Sequence, residues 1–210
     1  MKRLLLTAIA LFAAGAAQAQ TDRATILTSE QVQAVLKSSN SSDKTLQVFD
    51  LGGYQMSVAI VHRGKTAAGA ASTGSATAAQ PVRPAGPRCG LAASPAGAAP
   101  GQPGMISHSD TAETYIVTSG AGTLVTGGQI VNGAPSAADS DVTRVLNGPS
   151  CSGQVYGATM SRAMKVGDIA VIPAGVAHGW TAIADEVTYL SVRPDPKKVL
   201  QPGYVNTVLK

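Results

Sequence analysis

Between residues 104 and 193 the chain never runs far without a break. Short stretches rich in Val, Ile, Thr and Tyr alternate with Gly, Pro, Asn and Asp, giving candidate strands at 104–108, 113–118, 122–126, 160–165, 168–172, 179–183 and 187–193. None is long enough for an amphipathic helix, and many short strands with Gly-rich turns fit an all-β barrel or sandwich. The period of two begins earlier, with Leu46 and Val48 and then a Gly52-Gly53 turn. Beyond that turn Tyr54, Met56, Val58, Ile60 and His62 share one strand face, and Gln55, Ser57 and Ala59 the other. The apolar face is expected to point inward, which leaves His62 at the rim. One helix is predicted, Ser29–Lys37, with Thr28 as N-cap and Gln31 completing a capping box. Val32, Val35 and Leu36 form its apolar stripe.

Composition removes other classes. Charged residues make up 13% of the 210, and the formal charge is +4. Charge-rich disorder is excluded, as is a coiled coil, because no heptads recur. The small, scattered basic excess argues against a nucleic-acid partner. Part of that excess belongs to the N-terminus: Lys2 and Arg3 precede an apolar run and Ala17-Gln18-Ala19 closes it. This is the pattern of a bacterial signal peptide over residues 1–19, since the apolar run is too short to span a bilayer. The mature protein, 20–210, is expected to be one domain without a membrane span, in the periplasm or the medium.

Residues 67–104 hold 13 Ala, 7 Gly and 6 Pro and no acid. Such a segment builds no core and reads as a surface insertion, either mobile or acting as a lid. A second, polar insertion is expected at 132–153. The only two cysteines, Cys89 and Cys151, fall one in each insertion. In an oxidising compartment they read as one structural disulfide; two free thiols are the other reading.

Two stretches carry the chemistry. Gly167-Asp168 turns into an apolar strand, and Pro173-Ala-Gly175 ends it just before His178. Upstream, His108, Glu113, Tyr115 and Gly120 follow one another within a strand pattern. With period two, His178 and Trp180 share a face, as do Glu113, Tyr115 and Val117. The second stretch fits the pattern G-x5-P-x-G-x2-H, with Ala182 where Asn would follow. The first fits Glu, six residues, then Gly. On these motifs the chain resembles the cupin superfamily, over about residues 54–193. The resemblance implies a single jelly-roll barrel with a short N-terminal helix and two surface insertions.

It also implies a metal site. His108, Glu113 and His178 occupy family ligand positions, whereas the first histidine position falls on Ile106, which has no donor atom. Two imidazoles and a carboxylate suit Fe, Mn, Ni, Cu or Zn as divalent ions. The odd spacing of His108 and Glu113 puts them on opposite faces of one straight strand, so 109–112 must turn or bulge for them to converge. If no metal binds, the same side chains line a polar pocket. Glu113 or His62 is expected to move a proton, and Tyr115 and Trp180 to line a substrate pocket. Arg193 is read as a solvated strand end rather than an anion contact. Two functions are expected: a metal-dependent isomerase, lyase, hydrolase or oxygenase acting on a small polar molecule, or a non-catalytic small-molecule-binding protein. The resemblance further suggests a homodimer.

Overall fold

The computed structural model describes residues 23–38, 42–66, 71–72 (backbone only), 88–98 and 104–210. The proposed signal peptide and most of the Ala/Gly/Pro segment lie outside these residues. The elements are α1 (Ser29–Lys37), β1 (Asp43–Asp50), β2 (Gln55–Gly64), β3 (Ala71–Ser72), β4 (Met105–His108), β5 (Glu113–Pro135), β6 (Ser150–Lys165), β7 (Ile169–Ile172), β8 (His178–Thr181) and β9 (Glu186–Asp195). A π-type helical turn, Val142–Asn147, sits between β5 and β6. The helix is capped as expected, with the Thr28 hydroxyl accepting from the Gln31 amide and the Gln31 side chain accepting from the Thr28 amide.

Two antiparallel sheets share one strand. The first runs β1-β2-β9-β5-β7. In the second, β5 continues between β6 and β8, and β3 and β4 lie on the far side of β8. The candidate strands at 113–118 and 122–126 are therefore one strand. Gly120 marks where it leaves one sheet for the other: its φ is 67°, and a Cβ there would lie 2.0 Å from the Glu186 carbonyl oxygen. In sequence that glycine reads as a strand end; in the fold it is a bend that no larger residue fits. The second insertion, expected at 132–153, is shorter than its expected bounds. β5 extends to Pro135 and β6 starts at Ser150, so 136–149 is the tip of a long hairpin.

The β2 faces are inverted relative to the sequence expectation. Gln55, Ser57, Ala59, Val61 and Arg63 are buried and line the barrel, while Val58 and Ile60 point outward. The cause is α1, whose Val35 packs with Leu46 and Ile60, flanked by Leu27, Val32, Leu36, Val58 and Leu190. This outer layer takes the more apolar face of the sheet, and burial of each such side chain stabilises by about 1.5–3 kcal/mol. The more polar face is left to the interior. Deeper in the barrel Val61, Tyr115, Val117, Leu124, Trp180, Val187 and Tyr189 form the main core.

Cys89 and Cys151 are joined in a disulfide. Backbone bridges from Cys89 to Gly133 and from Leu91 to Val131 lay this part of the first insertion along β5.

Candidate metal centre

The turn that the spacing of His108 and Glu113 required is present. β4 ends at His108, the chain bends through 109–112, and β5 begins at Glu113. The bend is pinned by the Ser109 amide to the Pro149 carbonyl, and by the Thr111 hydroxyl to the Asn147 carbonyl. Gly175 donates its amide to the His108 carbonyl, which ties the second motif to the first. His178 opens β8 opposite Ile106 of β4. Ile106 holds its place in the sheet but offers no ligand atom.

These elements bring His108, Glu113 and His178 together, all buried, with one ligand atom of each within 4.8 Å of the others. Glu113 Oε1 lies 2.6 Å from His108 Nε2 and 2.9 Å from His178 Nε2. Its other oxygen, Oε2, is taken by Arg193 at 2.6 Å and by the Ser191 hydroxyl at 3.3 Å.

The imidazole tautomers follow from the far sides of the rings. His178 Nδ1 faces the Val176 carbonyl at 2.9 Å, and a carbonyl only accepts, so Nδ1 carries a proton. His108 Nδ1 faces the Ser150 hydroxyl at 2.7 Å. That hydroxyl spends its own proton on the Gly148 carbonyl, 2.9 Å away, so Nδ1 must donate here as well. In an uncharged ring so held, the lone pair is on Nε2, turned towards Glu113 Oε1. Oε1 and His178 Nε2 have no hydrogen-bond partner among the protein atoms. Three donor atoms converging in a buried space can hold a cation between them.

The charges agree. Burial alone would raise the Glu113 carboxyl, but Arg193, His108 and His178 reverse this and hold it well below the usual carboxylate range. Burial pushes the His108 imidazole below its ordinary value, and Glu113 opposes this only in part. Burial also disfavours the Arg193 charge, yet Glu113 more than restores it. An ionised carboxylate facing a neutral imidazole is a ligand arrangement. Two donors on one ion at about 2.1 Å, at right angles, lie about 3 Å apart. The 2.9 Å pair matches this and the 2.6 Å pair is slightly closer. The residues present fit a divalent transition metal, each histidine supported from behind as metal ligands usually are.

The other sequence candidates fall elsewhere. His62 is corrected: it lies on the outer face of β2, bonded to Thr188 at 2.9 Å with its side chain 45% exposed, and is not brought to Glu113. Its partner carboxylate is Glu186, 3.4 Å away. Tyr115 and Trp180 stack with ring centroids 6.3 Å apart and pack on Tyr189, beneath the His178 ring. Arg193 is also corrected. It is only 4% exposed and belongs to the centre. Sequence reasoning missed Ser150 and Ser191 altogether. Ser191 was legible in principle, because it shares the phase of Val187 and Tyr189 on β9. Ser150 was not, since nothing in the sequence pairs the end of the second insertion with β4.

The strand pairing makes an antiparallel two-sheet β-barrel with the donor set in its interior, and the motif around His178 resembles that of the cupin superfamily. No protein-family model matches the chain, and no curated protein is similar to it. Similar solved structures include a double-stranded β-helix protein of Klebsiella pneumoniae, 16% identical, covering 84% of this chain and 94% of that one with a TM-score of 0.38. A cupin protein of Bacteroides fragilis is 15% identical over 80% and 87% of the two chains, with a TM-score of 0.32. KdgF of a Halomonas species is 12% identical over 74% and 82%, with a TM-score of 0.33. Among the described residues no helix is long and apolar enough to cross a membrane.

Proposed function

We propose that this is an exported metal-binding cupin that acts on a small polar molecule. His108 Nε2, His178 Nε2 and Glu113 Oε1 hold a divalent transition metal. The single observation that carries the reading is the convergence of two imidazole Nε2 atoms on the one Glu113 oxygen that Arg193 does not take. When bound, the metal supplies Lewis acidity, and a redox-active ion also supplies electron transfer. The protein's own groups do the rest. Ser150 and the Val176 carbonyl fix the rings. Arg193 and Ser191 hold Oε2, and Tyr115 packs edge-on against the His178 ring. With Oε1 on the metal and Oε2 on Arg193 and Ser191, Glu113 serves as a ligand rather than as a proton carrier. The paired cysteines and the Lys2-Arg3 leader pattern support export.

A second reading is favoured by Arg193. Because the guanidinium already balances Glu113, the centre is also consistent with a non-catalytic, metal-free binding protein. Elemental analysis of the mature protein beside His178→Ala separates the two. The metal reading expects about one equivalent, lost in the variant. Sub-stoichiometric metal that His178→Ala leaves unchanged would remove it.

A further inference from the structure

The Arg193–Glu113 pair is unusual in where its charge falls. Glu113 is the only carboxylate in the ligand cluster, and one of its two oxygens is spent on a buried guanidinium at 2.6 Å. Arg193 is placed by β9, in register with Ser57 of β2, two positions beyond Ser191 on the same inward face. Its Nε and Nη1 have no hydrogen-bond partner among the protein atoms. Glu113 is thus its one ion-pair partner among the described residues.

We propose that Arg193 tunes the metal affinity of this centre downward, by fixing Glu113 as a one-oxygen ligand and opposing the charge of the incoming cation. The proposal rests on the metal reading above. The physical case has two parts. With Oε2 held by Arg193 and Ser191, only Oε1 faces the imidazoles, so Glu113 cannot chelate through both oxygens. The guanidinium also sits one carboxylate away from the cation in a buried setting, where charge repulsion is screened less than in water. A dication bound here meets a carboxylate already neutralised, so the site is poised for reversible loading. Arg193 acts through Glu113 and is a positioning residue.

The test is titration of Co(II) into the mature wild-type protein and into Arg193→Met, Arg193→Gln and Arg193→Lys. Affinity is read by competition with a chelator, and coordination by the visible d–d absorption. Arg193→Met and Arg193→Gln are expected to bind at least tenfold tighter than wild type, with a changed d–d spectrum as Oε2 is released. Arg193→Lys keeps the charge and is expected within about threefold of wild type. Adding His178→Ala to Arg193→Met is expected to abolish the gain, which places it at this centre. If Arg193→Met is purified unfolded, refolding it with Co(II) decides: recovery supports the proposal and no recovery overturns it. Equal or weaker binding by folded Arg193→Met and Arg193→Gln overturns it while the metal reading stands. Binding by Arg193→Met but not by wild type overturns the metal reading for the native protein and supports the role of Arg193. No binding by any of them overturns both.

Discussion

Replacing Ser150 with Ala tests the tautomer argument without assuming a metal. The hydroxyl is buried and makes two hydrogen bonds, accepting from His108 Nδ1 at 2.7 Å and donating to the Gly148 carbonyl at 2.9 Å. Ser150→Ala removes both and leaves an imidazole N–H with no acceptor, on a ring only 2% exposed. A buried donor left unpaired costs about 1–3 kcal/mol, and the lost bonds about 1 kcal/mol each. One missing oxygen leaves too little room for a water to take its place. The sum, allowing for overlap, is a destabilisation of about 2–3 kcal/mol, or a fall in Tm of about 5–10 °C for a domain of this size. Urea unfolding at neutral pH measures it as a shift in midpoint at constant slope, with the exposed Ser161→Ala as the control expected within about 0.5 kcal/mol. If metal binds, its affinity falls about 10–100-fold as well. A Ser150→Ala midpoint within about 0.5 kcal/mol of wild type would show that this hydroxyl does not hold His108, and the assignment of its Nε2 lone pair would go with it.

Three further outcomes are expected. The Cys89–Cys151 disulfide closes a loop with a sequence separation of 62, so Cys89→Ser should cost about 4 kcal/mol; an unchanged Tm by calorimetry would show that the cross-link is not holding the fold. Ala182 sits at φ 48° on the surface, so Ala182→Gly should stabilise by about 1 kcal/mol in denaturant unfolding, and a loss of stability refutes the strain. The acid limb of stability should come in two stages. His108 has a folded value below 6.5, so its contribution is complete above pH 6.5 and drains as pH falls below it. Glu113 has a folded value below 4.5, so its contribution is complete above pH 4.5 and drains as pH falls further. Glu113→Gln should lose about 3–5 kcal/mol at neutral pH by stranding Arg193, and should lack the second stage; an identical profile below pH 4.5 refutes the pairing.

What was legible in the sequence was whatever local backbone demands had written there. Gly167, Pro173 and Gly175 announced turns because few other residues adopt those conformations, and His178 followed at the strand start they define. The bend between His108 and Glu113 was legible as a necessity of spacing. The interior polarity was not. Both faces of β2 and β9 carry apolar residues, because one lines the barrel and the other is covered by α1. Alternation therefore located the strands but did not tell inside from outside. His62 shares the apolar face that α1 covers and so reads as a rim residue for that reason, whereas Arg193 reads as a solvated end because the candidate strand stops there while β9 runs on to Asp195. Ser150 reaches His108 only through the pairing of β4 with β6, which no local pattern encodes.

The pairing of β2 with β9 has a kinetic consequence. Gln55 lies opposite Asp195, about 140 positions further along the chain, and the ten aligned pairs between these strands join early residues to late ones. The barrel cannot close until its last strand has been made, and Arg193 reaches Glu113 only then. Contacts this distant in sequence make folding slow, so the chain stays open through synthesis. The proposed export would be served by that delay, since a chain that crosses a membrane unfolded must not close first.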